Sequence, residues 1–125
     1  MDKEKALALF AEADEYNWDD GLDRVKQMLD DENCELGTAS LLYWRTDPSY
    51  YKKFASKEEA QPYQQPYMDF IADLETRIAA GAFPCQYVSF DPRKDQIIDD
   101  NDPMIKKIPE VMLKAVVAPE GEEYK

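Results

Sequence analysis

Between Pro66 and Ala80 the apolar side chains fall at Tyr67, Phe70, Ile71, Leu74 and Ile78. That three-and-four spacing gathers onto one face only in an α-helix; a strand needs alternation. Pro66 suits the first turn, where its missing N–H has no intrahelical partner, and Gly81 suits the residue just past the end. The polar stretch 55–65, with Pro62 four residues before Pro66, separates this helix from the upstream chain.

The same spacing recurs upstream. Ala6, Leu7, Phe10, Ala13 and, at its margin, Ala11 predict a helix over 3–15. Asn17 is then an N-cap candidate, and Asp19 and Asp20 meet the positive end of a second helix over 18–31, whose apolar face is Trp18, Leu22, Val25, Met28 and Leu29. No charge interrupts Leu36 to Trp44, so a largely buried helix is expected over 36–46. Asp47-Pro48 ends it and opens a short helix through Phe54. A last helix is expected over 109–117, with Pro109 in its first turn and Val111, Met112, Ala115 and Val116 apolar. Cys85 to Phe90 reads as one strand or an extended segment without an evident partner. The expected fold is mainly α: a compact bundle of antiparallel helical hairpins with at most one or two short strands. It forms one domain over 1–118, followed by a flexible acidic tail, 119–125.

A chain of 125 residues suits one core, and 8 Tyr, 5 Phe and 2 Trp supply material for it. The net charge of −12 is uneven: residues 1–35 hold 12 acidic and 4 basic side chains, a net of −8. Binding phosphates requires clustered Lys and Arg, whereas Lys52-Lys53, Arg93-Lys94 and Lys106-Lys107 are short pairs in an acidic chain, so neither nucleic acid nor an anionic membrane is an expected ligand. No apolar run approaches the roughly 18 residues of a span, and Asp2 to Lys5 do not resemble a signal peptide, which makes a cytoplasmic location the expectation. Cys34 and Cys85 form no CxxC or CxxH unit; a disulfide is open to them, but buried free thiols fit a cytoplasmic chain better.

Histidine is absent, which removes Ser-His-Asp and Cys-His nucleophile pairs and imidazole metal sites. A carboxylate pair could still hydrolyse glycosides. Asp30-Asp31-Glu32-Asn33 and Asp99-Asp100-Asn101-Asp102 have the composition of calcium loops, but counting from Asp31 or Asp99 puts Leu36 or Met104 where an EF-hand needs Gly. The four glycines are scattered, so no phosphate loop is indicated. No catalytic residue, cofactor site or metal site is expected.

Tyr16-Asn17-Trp18-Asp19-Asp20-Gly21 and Cys34-Glu35-Leu36-Gly37-Thr38-Ala39 resemble a bacterial family known as domain of unknown function 4274, over roughly residues 5–80. The resemblance implies a small helical domain and brings no established activity or catalytic residue. Structurally, Asn17 would cap, Trp18 would enter the core, Gly21 would let a helix approach, and Gly37-Thr38-Ala39 would form the contact between the second and third helices. Functionally, Trp18, Asp19 and Asp20 would form a binding lip.

The expected function is therefore a non-catalytic protein-binding domain, an acidic inhibitor or immunity-type protein for a basic partner. The alternatives are a helical scaffold or regulatory module and, from a different class, a carboxylate-based enzyme. Candidate partner-binding residues are Trp18, Asp19, Asp20, Asp23, Trp44, Arg45 and Tyr50, because aromatic and Arg side chains dominate interface hot spots.

Overall fold

In the computed structural model, which describes residues 2–121, the chain is mainly helical. The helices are α1 (Lys3–Glu15), α2 (Asp23–Asp30), α3 (Leu36–Arg45), α4 (Pro48–Tyr51), α5 (Gln65–Ala79), α6 (Pro92–Asp95) and α7 (Glu110–Leu113), with 3₁₀ turns at Trp18–Asp20, Lys57–Glu59 and Ile105–Lys107. Helix α3 is central. Gly37 to Trp44 are all buried, as the absence of charge predicts, and α3 packs against α1, α4, α5 and α6. Helix α5 lays Phe70, Ile71, Leu74 and Ile78 against it and ends as expected. Gly81 takes φ +73°, its N–H bonds Ile78 O and the Ala82 N–H bonds Arg77 O, a Schellman closure that satisfies two terminal carbonyls.

Five expectations are corrected. The helix expected over 18–31 is interrupted: Trp18–Asp20 form a 3₁₀ turn, and Gly21 at φ +89° breaks the chain before α2. No atom lies within 4 Å of where a Gly21 Cβ would stand, so this glycine serves backbone conformation and no helix approaches it. Helix α1 buries Ala6, Leu9 and Ala13, while Leu7 and Ala11 are exposed; the buried stripe runs through Leu9, on the opposite side of the helix from Leu7.

The contact made by Gly37 is also reassigned. A Cβ there would lie 2.7 Å from both Val88 Cγ1 and Val88 O, so Gly37 admits the later segment and does not serve α2. Finally, the helix expected over 109–117 spans only Glu110–Leu113, with Pro109 as its N-cap. Val116 is extended and pairs with Phe90 in an isolated antiparallel bridge, at 2.9 and 2.7 Å. That is the missing partner of the Cys85–Phe90 segment. Of the expected tail, Glu120 bonds back to Gln86 through backbone (2.9 Å) and side chain (2.7 Å); residues 122–125 lie outside the described residues.

Among the described residues no helix is long and apolar enough to cross a membrane.

Candidate partner-binding face

The loop from Tyr16 to Gly21 closes on itself. Asn17 Oδ1 accepts from the Asp19 N–H at 3.1 Å, Asn17 O accepts from Asp20 N–H at 3.0 Å, and Trp18 O accepts from Gly21 N–H at 3.2 Å. The Tyr16 hydroxyl donates to Gly21 O. Each residue of the rare Tyr-Asn-Trp-Asp-Asp-Gly string thus has a local task, and the expected capping by Asn17 is present, on a 3₁₀ turn instead of an α-helix.

This loop leaves Trp18 half-buried, its ring edge-on to Tyr16 at 5.5 Å and to Phe70 at 6.3 Å. Rings continue from there. Tyr67, one turn before Phe70 on α5, stacks on Tyr51 at 6.1 Å, and Tyr51 meets Tyr50 edge-on at 5.1 Å. The Tyr16 phenol is pushed up by burial and then by Asp20, Tyr67 and Asp23. Asp19, Asp20 and Asp23 are exposed, and none forms an ion pair with another described residue. Five of the seven candidates, Trp18, Asp19, Asp20, Asp23 and Tyr50, therefore lie along one aromatic ridge with an acidic end.

Trp44 and Arg45 do not belong to it. Trp44 is 3% exposed, and its indole N–H donates to Met112 O at 2.8 Å, so it is a core residue. Arg45 is a strap: its guanidinium holds Asp95 through two bonds (3.0 and 2.7 Å) and Asp14 through the carboxylate (2.7 Å) and the carbonyl (3.0 Å). These partners, Asp95 first, raise its pKa further. The donors a ligand would use are engaged inside the molecule. Tyr50 stays accessible, 38% exposed, with Lys53 Nζ 3.8 Å from its ring centroid and Gln64 donating to its hydroxyl at 2.9 Å. Those two neighbours, Gln64 first, lower its pKa.

The fully buried Glu35 carries a role that its local sequence does not reveal. It occupies the N-cap position of α3 without capping it, and its carboxylate accepts from the successive backbone N–H groups of Gln86, Tyr87 and Val88 at 2.8–2.9 Å. The one signal is an acid beside the charge-free run from Leu36 to Trp44, but the donors lie more than fifty residues away.

A half-buried carboxylate, Glu75, accepts from the Tyr43 hydroxyl (2.6 Å) and binds Lys52 Nζ (2.7 Å). Burial, then Glu75, holds the Tyr43 phenol far above its ordinary value. Cys34 is buried and free, with its thiol pushed up to about 12 by burial, which makes it a poor nucleophile near neutrality. Cys85, also free, is only half-buried, contrary to the expectation that both thiols are inside. Among the described residues no group of three or more Cys, Asp or Glu is arranged to hold a metal ion.

Fold and face together define a small helical domain whose first interhelical loop presents an aromatic and acidic surface. The model of the family described as Domain of unknown function (DUF4274) matches residues 2–79, more than half of the chain, and the protein belongs to that family. No curated protein and no solved structure matches it.

Proposed function

We propose that the domain is a non-catalytic binding protein that docks a basic protein partner through the ridge running from Trp18 to Tyr50, as an inhibitor of the immunity type does. The observation that carries this reading is the loop at Trp18–Asp20: a half-buried tryptophan beside the exposed carboxylates of Asp19, Asp20 and Asp23, none of which has an ion-pair partner among the described residues. A tryptophan anchor beside unmatched carboxylates suits a partner with Lys or Arg around an apolar contact. A cytoplasmic setting accompanies the reading, since both cysteines are free thiols.

The test is capture of partners from cells of the source organism by the immobilised chain, followed by binding kinetics with whatever basic protein is retained. Trp18→Ala is expected to weaken binding about 30-fold or more, the loss typical of a hot spot. Replacing Asp19, Asp20 and Asp23 by Asn is expected to slow association and flatten its salt dependence while leaving dissociation nearly unchanged. With no histidine in the chain, binding should change little between about pH 6 and 8 unless the partner titrates. Retention of the same protein by both variants at parental rates would refute the docking face.

A further inference from the structure

A groove of about 400 Å³ lies where the turn after α4 meets the outer side of α5. Its apolar lining includes Phe54, Met68, Ile71 and Ala72; Ile71 belongs to the core, whereas the exposed Ala72 leaves the space that a larger side chain would fill. Lys52 and Lys107 complete it. In a chain of net charge −12, no carboxylate of the described residues lines this groove, while the neighbouring groove between α2 and α5 is lined by Asp30, Asp69 and Asp73.

The two ammonium groups are differently committed. Lys52 Nζ bonds both oxygens of Glu75, at 3.0 and 2.7 Å, so its charge is matched and one N–H remains. Lys107 Nζ makes one hydrogen bond among the described residues, to Lys52 O at 3.1 Å, and has no carboxylate partner. Two of its donors remain. The groove therefore offers an apolar floor, one unmatched positive charge and a second donor close by.

We propose that this groove is a binding site for a small amphipathic carboxylate, with the apolar body over Phe54, Met68 and Ile71 and the anionic end on Lys107, assisted by Lys52. Apolar surface supplies most of the affinity and the ammonium sets the orientation, the division of labour usual in small-molecule pockets. A neutral ligand of the same shape leaves Lys107 unused, and a short anion leaves the floor wet. Tyr51 also lines the groove and belongs to the ridge, but the proposal does not depend on a protein partner.

The experiment uses octanoate as the probe, followed by amide shifts of the full chain at constant ionic strength, with acetate and 1-octanol in parallel. Octanoate is expected to produce saturable shifts at Phe54, Met68, Ile71, Ala72 and Lys107, with acetate and octanol at least about tenfold weaker. Lys107→Gln should weaken octanoate about five- to tenfold, and Ala72→Leu should fill the groove and abolish the shifts; both positions are exposed, so the remaining spectrum should be preserved. The proposal is overturned by an absence of saturable shifts up to about 5 mM octanoate, by shifts confined to other residues, or by parental binding in Lys107→Gln.

Discussion

Glu35 is a buried carboxylate that pairs with no Lys or Arg among the described residues; three consecutive backbone N–H groups supply what water would. Bonds of this kind to an ionised acceptor are among the stronger ones, and each donor would be left unsatisfied inside the protein if the acceptor were removed. Glu35→Gln keeps the shape but turns an NH₂ group toward N–H donors. The substitution is expected to cost about 2–3 kcal/mol in urea denaturation, because at least one charge-assisted bond is lost and a donor is stranded. An unchanged midpoint would mean that the carboxylate does not anchor residues 86–88. The two tryptophans show why a residue type alone says little: Trp44 spends its N–H on Met112 O in the core, while Trp18 is left half-buried on a loop.

At the scale of elements, α3 and α5 formed where charge-free and striped sequence predict them, and Gly81 ends α5 by occupying a conformation that other residues enter at a cost. Gly81→Ala, with nothing within 4 Å of the added methyl, should cost about 1–2 kcal/mol through backbone conformation alone. Gly37→Ala tests the opposite case. Helix propensity alone favours alanine by about 1 kcal/mol, but the new Cβ would stand 2.7 Å from Val88 O, in a segment that Glu35 pins. Overpacking of this kind costs about 1–3 kcal/mol, so the net effect should be destabilising and should shift the amides of residues 86–88. A more stable Gly37→Ala protein would show that the later segment yields easily.

For the whole molecule, the family match ends at residue 79, on the last residue of α5, yet the core built by residues 2–79 is completed by residues 80–121. The amides of 86–88 satisfy Glu35, Asp95 holds Arg45, and Met112 O receives the Trp44 indole. A fragment of residues 1–79 would leave all three groups without these partners and would expose α3 where Val88 and Met112 cover the core. It is therefore expected to lack a cooperative thermal transition in dichroism, whereas the full chain should show one. Cooperative melting of the fragment with native helix content would make residues 80–121 an accessory layer.

The sequence by itself determined that the chain is helical, where its two principal core helices lie, that it is strongly acidic, and that Asn17 is a cap, because propensity, periodicity and capping act over a few residues; that it caps a 3₁₀ turn and not an α-helix was decided by the structure. Only the tertiary structure decided which acids are matched, that Arg45 is a strap, that Trp44 is core, that Val116 pairs with Phe90, and that Glu35 meets residues 86–88. Those outcomes depend on partners brought together from distant parts of the chain, and burial there is a property of the assembled core.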